Sequence, residues 1–474
     1  MAQPLAPNQV AARLDRLPVC RFHYRFLALI ALGAWFDYYD NFVAGTLAVV
    51  LPAAGVLPKA RPEEWFSLLG LFMAALPLGM FVGSIFLGLA SDYLGRRFGF
   101  IAMLLLYSLA TLVGGVGYYP LAALAGTGAA LTLLFVTRFQ AGAGIGAENV
   151  IIDAYVSEVV PRQIRGRGVA LTHAVAFTAL PVAALLGRLL TPQDRPDRWW
   201  LLLVIGSLGA LWAWYFRRRL PESPRWSATA GRHDEAEATL AQIEAAVERE
   251  TGPLPPAKIA KRLQPPPRTP FRQIWSPRYR GRTVLLVVFH LLQTVGYYGF
   301  VHWLATLFVA KGFAGDAALA MQFAASLLAP VGPLLAVWSS ERWQRKSLIV
   351  LLALAIAGAL LSFETLENGI LLTMIAAVVV VGLNWFSALF HAYQAELYPT
   401  EARATGVGFT YAWSRMSMVL LNVVMPGLIA ASPARAFGLM AAALLGVGVT
   451  IGLFGPLTNA RPLEETGNEE EIAN

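Results

Sequence analysis

Twelve apolar runs of about 20 residues or more dominate this chain of 474 residues. A run of that length is what a helix needs to cross a hydrocarbon core about 30 Å thick. Within such a core every backbone N–H and C=O must be satisfied inside the segment, which leaves the helix as the folding unit. The runs lie near 24–52, 64–90, 98–118, 129–157, 166–190, 199–217, 283–310, 317–339, 347–364, 370–396, 405–430 and 435–457. Composition agrees: 57% of residues are hydrophobic and 14% charged, where a soluble surface needs roughly 25% charge. The sequence therefore predicts an all-α integral membrane protein of twelve transmembrane helices.

A charged, proline-rich stretch of about 65 residues separates the sixth run from the seventh, with PPPRTP at 265–270. Within it His233 to Glu250 reads as one or two amphipathic helices lying at the membrane face. This divides the chain into a tail (1–23), a six-helix bundle (24–217), a central loop (218–282), a second bundle (283–457) and an acidic tail (458–474). The net charge of +8 gathers at the ends of apolar runs, with no basic face carrying base-stacking aromatics, so nucleic acid is not expected as a partner. Arg96, Arg97, Arg162, Arg165, Arg167, Arg217 to Arg219, Arg342, Arg345 and Lys346 crowd one side of the expected membrane, an excess that marks the cytoplasm. Both termini are then expected to be cytoplasmic, in an inner or plasma membrane. The single cysteine, Cys20, excludes an intrachain disulfide and a multi-cysteine metal site, and the polar first 20 residues carry no cleavable signal pattern.

The chain repeats itself. Tyr155, Glu158, Pro161 and Arg165 recur as Tyr393, Glu396, Pro399 and Arg403, each shifted by 238 positions. The loop Gly88-Leu-Ala-Ser-Asp92-Tyr-Leu-Gly95-Arg96-Arg97 has a drifted counterpart in Glu341 to Lys346, where Gln344 replaces the turn glycine. Two halves with the same helix-end motifs in the same order point to parallel repeats. No phosphate-binding GxxxxGK[ST] loop, GxSxG elbow or HExxH pair is present, which argues against an enzyme, an ATP-driven pump, a metal or another cofactor.

GLASDYLGRR, the paired YxxExxPxxxR motifs and PESPRW at 221–226 together resemble the major facilitator superfamily. The likeness is strongest to its sugar-porter-related branch, which includes metabolite:proton symporters and organic-ion transporters. The resemblance implies two six-helix bundles related by pseudo-two-fold symmetry, working by alternating access. It also implies a cytoplasmic charge network of Asp92, Arg96, Arg97, Glu158, Arg165, Glu396 and Arg403; plain solvation at the membrane face is the alternative.

Ionisable residues inside the bilayer are costly and count first as functional candidates. Asp37 and Asp40 lie three residues apart in span one, and Arg138 opens the small-residue run Gly142, Gly144, Gly146 in span four. By resemblance to carboxylate–arginine pairs of proton symporters, Asp40 is the first choice for the proton-carrying acid, Arg138 its partner, and Asp37 a sharer of the role. A static ion pair is the alternative. Glu148 and Asp153 fit structural pairing better, and His173, His290 and His302 read as buried neutral histidines.

Arg415 stands about ten residues into span eleven, where a cation needs an anionic partner; a cargo carboxylate would supply one through charge-assisted hydrogen bonds, with snorkelling toward the interface or pairing with Asp37 as the alternatives. Organic-anion members of the branch resemble it in this arginine. Gln293, Tyr297 and Tyr298 of span seven, Asn384 and Trp385 of span ten, and Tyr411 of span eleven complete the expected binding set. One glutamine where sugar porters typically carry a pair makes a hexose less fitting. The expected function is proton-coupled movement of a small organic metabolite, most readily a carboxylate, by a monomer in the lipid bilayer. Alternatives are a sugar or polyol transporter, a drug-type exporter, and a non-transporting sensor.

Overall fold

The structure, a computed structural model, describes residues 7–62, 64–161, 164–217, 220–257, 270–339, 342–398 and 402–458. Side chains at 7–8, 88–94, 149–154, 157, 165–167, 169–170, 212–213, 216–217, 270 and 403–404 lie outside that description. Among the described residues there is no strand. A short helix α1 (Pro7–Asp15) precedes α2 (Arg21–Ala53), α3 (Leu68–Leu94), α4 (Arg96–Ala125) and α5 (Thr127–Val159). Span five is broken into α6 (Arg165–Phe177) and α7 (Ala179–Leu190), and α8 (Trp200–Arg217) ends the first half. The central loop holds α9 (Pro224–Thr229), α10 (His233–Thr251) and α11 (Pro270–Ile274). Span seven is α12 (Arg280–Val301) plus α13 (Leu304–Ala310), and span eight is α14 (Gly315–Ser326) plus α15 (Val331–Ser339). Then follow α16 (Arg345–Thr365), α17 (Gly369–Glu396), α18 (Arg403–Ala431) and α19 (Pro433–Phe454).

Ten segments among the described residues are long and apolar enough to cross a membrane. The other two expected spans are α2, whose middle carries Asp37, Asp40 and Asn41, and α8, the shortest at 18 residues. The breaks have local causes. Pro330 and Pro181 lack the N–H that would bond the carbonyls four residues back, at Ser326 and Phe177. Around the first, Ala329 N instead closes a tighter turn on Ser326 O at 2.9 Å.

The contacts sort the chain into two compact units, one of residues 1–38, 79–176 and 204–265, the other of 39–78, 177–203 and 266–474. These units differ from the six-helix bundles expected at 24–217 and 283–457. The bundles describe repeated sequence, whereas the units describe packing, and part of the first half packs on the second. Asn422 of α18 donates through Nδ2 to Met73 O of α3 at 3.0 Å, and its Oδ1 accepts from Trp303 Nε1 at 3.0 Å. Helix α7 likewise packs on α14.

In the first unit, Phe26, Ile30, Phe100, Tyr155, Val156, Val159 and Leu220 form one apolar core. Gly146 lets α5 approach α3 closely, since a Cβ there would strike the backbone carbonyl of Met80. Gly95 reverses the chain at φ +108°, and a Cβ there would fall 2.7 Å from Glu222 Oε2, a conformation and a space that only glycine suits.

The same unit corrects one expectation. Helix α10 does not lay its apolar face on a membrane: that face is covered by the N-terminal tail, which is helical. Val10, Leu14 and Leu17 pack with Ala228, Ala236, Leu240, Ile243 and Val247 in a core of their own. In water, each large aliphatic side chain so buried contributes about 1.5–3 kcal/mol. Ion pairs frame the contact, Arg13 reaching Glu237 at 2.7 Å and Glu244 at 2.5 Å, Arg16 reaching Glu244 at 2.6 Å and Arg225 reaching Asp15 at 3.0 Å.

Candidate functional site

Buried polar residues gather along α12, α17 and α18 of the second unit. Helical spacing explains why: Gln293 and Tyr297 on α12, and Tyr411 and Arg415 on α18, are four residues apart and share a face. Arg415 is 7% exposed. Its Nη1 donates to Tyr298 OH at 3.1 Å and its Nη2 to Tyr411 OH at 3.4 Å, with the guanidinium carbon 5.1 Å from the Tyr411 ring centroid. Each phenol that accepts from the guanidinium keeps its own proton to donate, so the three groups form a cluster of donors around one positive charge.

One turn along, Tyr297 OH donates to Asn384 Oδ1 at 2.8 Å, and Gln293 Nε2 donates to Thr294 Oγ1 at 3.0 Å. Asn384 is fully buried, and its Nδ2 finds no hydrogen-bond partner. Trp385 is turned to α15, its indole N–H on Ser339 Oγ at 2.9 Å. So the structure brings Arg415, Tyr298 and Tyr411 together and joins Tyr297 to Asn384, while it ties Trp385 to a neighbouring helix.

Two features of this cluster went unpredicted. Phe42 of α2 reaches His302, ring to ring at 6.2 Å, and His302 lies 4.9 Å from Tyr298; an apolar phenylalanine in an apolar run gives no signal. The other is a chain of three polar side chains. His290 Nε2 meets Gln394 Oε1 at 2.8 Å, and Gln394 Nε2 meets His391 Nδ1 at 3.1 Å. Both imidazoles flank Tyr411, with centroids 5.3 and 5.4 Å from its ring. His290 was expected to be a satisfied buried histidine; its Nε2 is bonded, and its Nδ1 is buried without a partner.

The expected proton-coupling residues are deeply buried. Asp37 and Arg138, each 1% exposed, lie in the first unit, and Asp40, 2% exposed, lies in the second, because α2 passes from one to the other between Tyr38 and Tyr39. Next to Asp40, Tyr39 OH anchors the helix by donating to Leu202 O at 3.0 Å. Among the described residues, no group of three His, Cys, Asp or Glu side chains is placed to hold a metal ion.

At the helix ends, the repeated motif makes repeated geometry. Arg96 Nε meets Glu158 Oε1 at 3.2 Å in the first unit, and Arg345 Nη1 meets Glu396 Oε1 at 2.7 Å in the second. The motif tyrosines repeat too: Tyr155 OH donates to Pro221 O just after the sixth span, and Tyr393 OH to Pro456 O just after the twelfth. Arg97 engages through its backbone, its N–H on Glu222 Oε1 at 3.1 Å. The side chains of Asp92, Arg165 and Arg403 lie outside the described residues. Arg345 was missed as a member of this network, although Glu341 to Arg345 keeps the spacing of Asp92 to Arg96.

Comparison with known proteins agrees with this repeated architecture. The family described as "Sugar (and other) transporter" matches residues 27–469. YyaJ of Bacillus subtilis is 30% identical over 96% of this chain and 97% of its own length. The niacin transporter NiaP of Acinetobacter baylyi is 28% identical over 97% of this chain and 99% of its own. Among solved structures, the partially occluded inward-open xylose transporter XylE of E. coli superposes with a TM-score of 0.74. It shares 19% identity and covers 94% of this chain and 100% of the transporter, a likeness of fold. The chain therefore belongs to the sugar (and other) transporter family of the major facilitator superfamily, and is a multi-pass membrane transporter of small molecules and not an enzyme.

Proposed function

We propose that this transporter moves a small organic carboxylate with an apolar or aromatic body, coupled to protons. The observation that carries the reading is Arg415, buried on α18 with its guanidinium on the hydroxyls of Tyr298 and Tyr411. A carboxylate placed there would meet a charge and two phenolic donors, and charge-assisted hydrogen bonds of this kind are about twice as strong as neutral ones. The rings of Phe42, His302, Tyr298 and Tyr411 suit a flat apolar body. A relative named as a niacin transporter supports the same cargo chemistry, niacin being an aromatic acid.

Asp40, with Asp37 and Arg138, is the proposed coupling group. A buried carboxylate switches charge with one proton, and a ligand that binds one conformation better shifts the population toward it. The Arg96–Glu158 and Arg345–Glu396 pairs are proposed to latch the cytoplasmic ends in one orientation, with both termini on that side of an inner or plasma membrane. The transporter is proposed to act as a monomer.

The test is proton flux into liposomes holding the purified protein and a pH dye, challenged with carboxylates and their amides. The expected result is proton entry driven by a carboxylate, abolished by Asp40→Asn and by Arg415→Met. A second reading, a neutral polyol, draws on the partnerless Nδ2 of Asn384, whose Oδ1 holds Tyr297. Flux of a polyol that survives Arg415→Met would replace the first reading with the second.

A further inference from the structure

We infer that the crossing of α3 and α18 is the gate that shuts this transporter at the end opposite the Arg96 and Arg345 pairs, with the Asn422 side chain as its lock. The inference concerns transport itself and holds for any cargo. Each helix carries one internal proline, Pro77 in α3 and Pro426 in α18. A proline has no N–H for the carbonyl four residues back. Pro77 therefore leaves Met73 O without its helical donor, and Pro426 does the same to Asn422 O. Both carbonyls lie at the crossing. Asn422 Nδ2 donates to Met73 O at 3.0 Å. Asn422 O, with Val423 O, lies against Gly70 of α3, where an added Cβ would stand 2.9 and 2.8 Å from the two oxygens. Each helix thus docks on the carbonyl that the other's own proline set free.

The amide orientation is settled by its other end. Trp303 Nε1 can only donate, so it fixes Asn422 Oδ1 at 3.0 Å and turns Nδ2 toward α3. That bond joins two second-half helices, whereas the bond to Met73 joins the halves. Two more close approaches flank it: a Cβ at Gly427 of α18 would stand 2.8 Å from Glu64 O, and one at Gly45 of α2 would stand 2.6 Å from His302 O. First-half segments at this end are seated on second-half helices with no room for a methyl group. All of these residues lie in one compact unit, which α3 leaves between Leu78 and Gly79, just past Pro77. Span five leaves it between Ala176 and Phe177, at the carbonyl that Pro181 frees. Helices bend where proline interrupts their hydrogen bonds, so each passage is a joint. Asn422 and Met73, 0% and 2% exposed, satisfy each other in the closed crossing. Once it opens, water serves both groups, so the bond favours the closed conformation alone and shifts the population toward it. Asn422 is a positioning residue with no contact to cargo.

The experiment reads opening as the labelling of a buried thiol. Cys20 is the only cysteine of the chain, so Met73→Cys in a Cys20→Ser background gives one reporter and keeps the backbone acceptor. The full-length protein in nanodiscs, with both faces in reach of a water-soluble maleimide, should label slowly. Asn422→Leu should raise the labelling rate about fivefold, the worth of one hydrogen bond. Gly70→Ala leaves the amide in place but drives a methyl group onto Asn422 O and Val423 O, and should raise the rate as well; it carries the test if Asn422→Leu does not fold. Trp303→Phe removes a bond to the same asparagine without touching α3. It should lower the melting temperature and leave the labelling rate where it was, a split that general loosening would not give. If Asn422→Leu labels at the starting rate, or if Trp303→Phe raises the rate as much as Asn422→Leu does, the crossing is ordinary packing and the inference is overturned.

Discussion

Arg345 is bound to Glu396, Nη1 to Oε1 at 2.7 Å, with less than a quarter of either side chain exposed. Arg96 stands in the same relation to Glu158 at the end of span four. A contact made twice by two drifted copies of one loop is a feature of the repeat, whereas incidental solvation would differ between copies. Such a partly buried pair is worth about 1 kcal/mol, at the upper end of exposed pairs. Arg345→Glu sets like charges together and should cut flux about tenfold if roughly 1.4 kcal/mol of latch energy is lost. Adding Glu396→Arg should restore most of it, and a double-mutant cycle on thermal stability should return a coupling near 1 kcal/mol. A coupling of zero would reduce the pair to solvation.

Gly95 makes the turn that sets Arg96 in place. At φ +108°, with Glu222 Oε2 only 2.7 Å from where a Cβ would stand, Gly95→Ala should destabilise the detergent-solubilised protein by about 1–3 kcal/mol. Gly126→Ala tests the φ contribution alone, since its φ is +86° and nothing lies within 4 Å. Thermal unfolding of the pair separates strain from collision: equal losses would mean that Glu222 moves aside freely.

Ten of the twelve expected spans were legible from length and apolarity alone, which are local properties; most boundaries fall within a few residues of the helix that forms, whereas α4 runs to Ala125, seven residues past the expected end of span three. The charge network was half legible. Spacing and resemblance picked out Glu158, Glu396 and Arg96, whereas Arg345, at the start of α16 and 51 residues before Glu396 in sequence, is selected only by the structure. Docking of α1 was not legible, because the partner face of α10 lies more than 220 residues on and either helix alone reads as a surface element. The His290–Gln394–His391 chain was hidden for a similar reason: one amide joins two spans, and a histidine in an apolar run looks the same with or without it.

The N-terminal clamp should release in acid. Burial alone would raise the pKa of Glu244, but hydrogen bonds from Arg13 and Arg16 outweigh it and leave the carboxylate below its ordinary 4.5. A depressed folded-state pKa stabilises above the unfolded value and is lost as pH falls through the lowered one. Protection from hydrogen exchange across residues 7–17, corrected for the intrinsic rate at each pH, should therefore be high at neutral pH and fall only below about pH 4.5. Glu244→Gln should lower that protection at every pH and flatten the dependence. An unchanged pH profile in that variant would assign the acid release to another carboxylate, Asp15 or Glu237.

Asn422 makes the strongest single demand on its surroundings. It is fully buried, its Oδ1 takes the Trp303 indole proton at the break in span seven, and its Nδ2 holds Met73 O of α3. Asn422→Leu preserves volume but strands the indole N–H and a backbone carbonyl, each costing about 1–3 kcal/mol when buried. Asn422→Asp keeps the acceptor for Trp303 but sets an oxygen against Met73 O. The aspartate should then be the milder loss if the tryptophan bond dominates, and the harsher if the link to α3 does. Trp303→Phe decides between these. In its background the indole is gone, so any remaining cost of Asn422→Leu belongs to Met73, and a cost near zero would show that the link between α3 and α18 contributes nothing to stability.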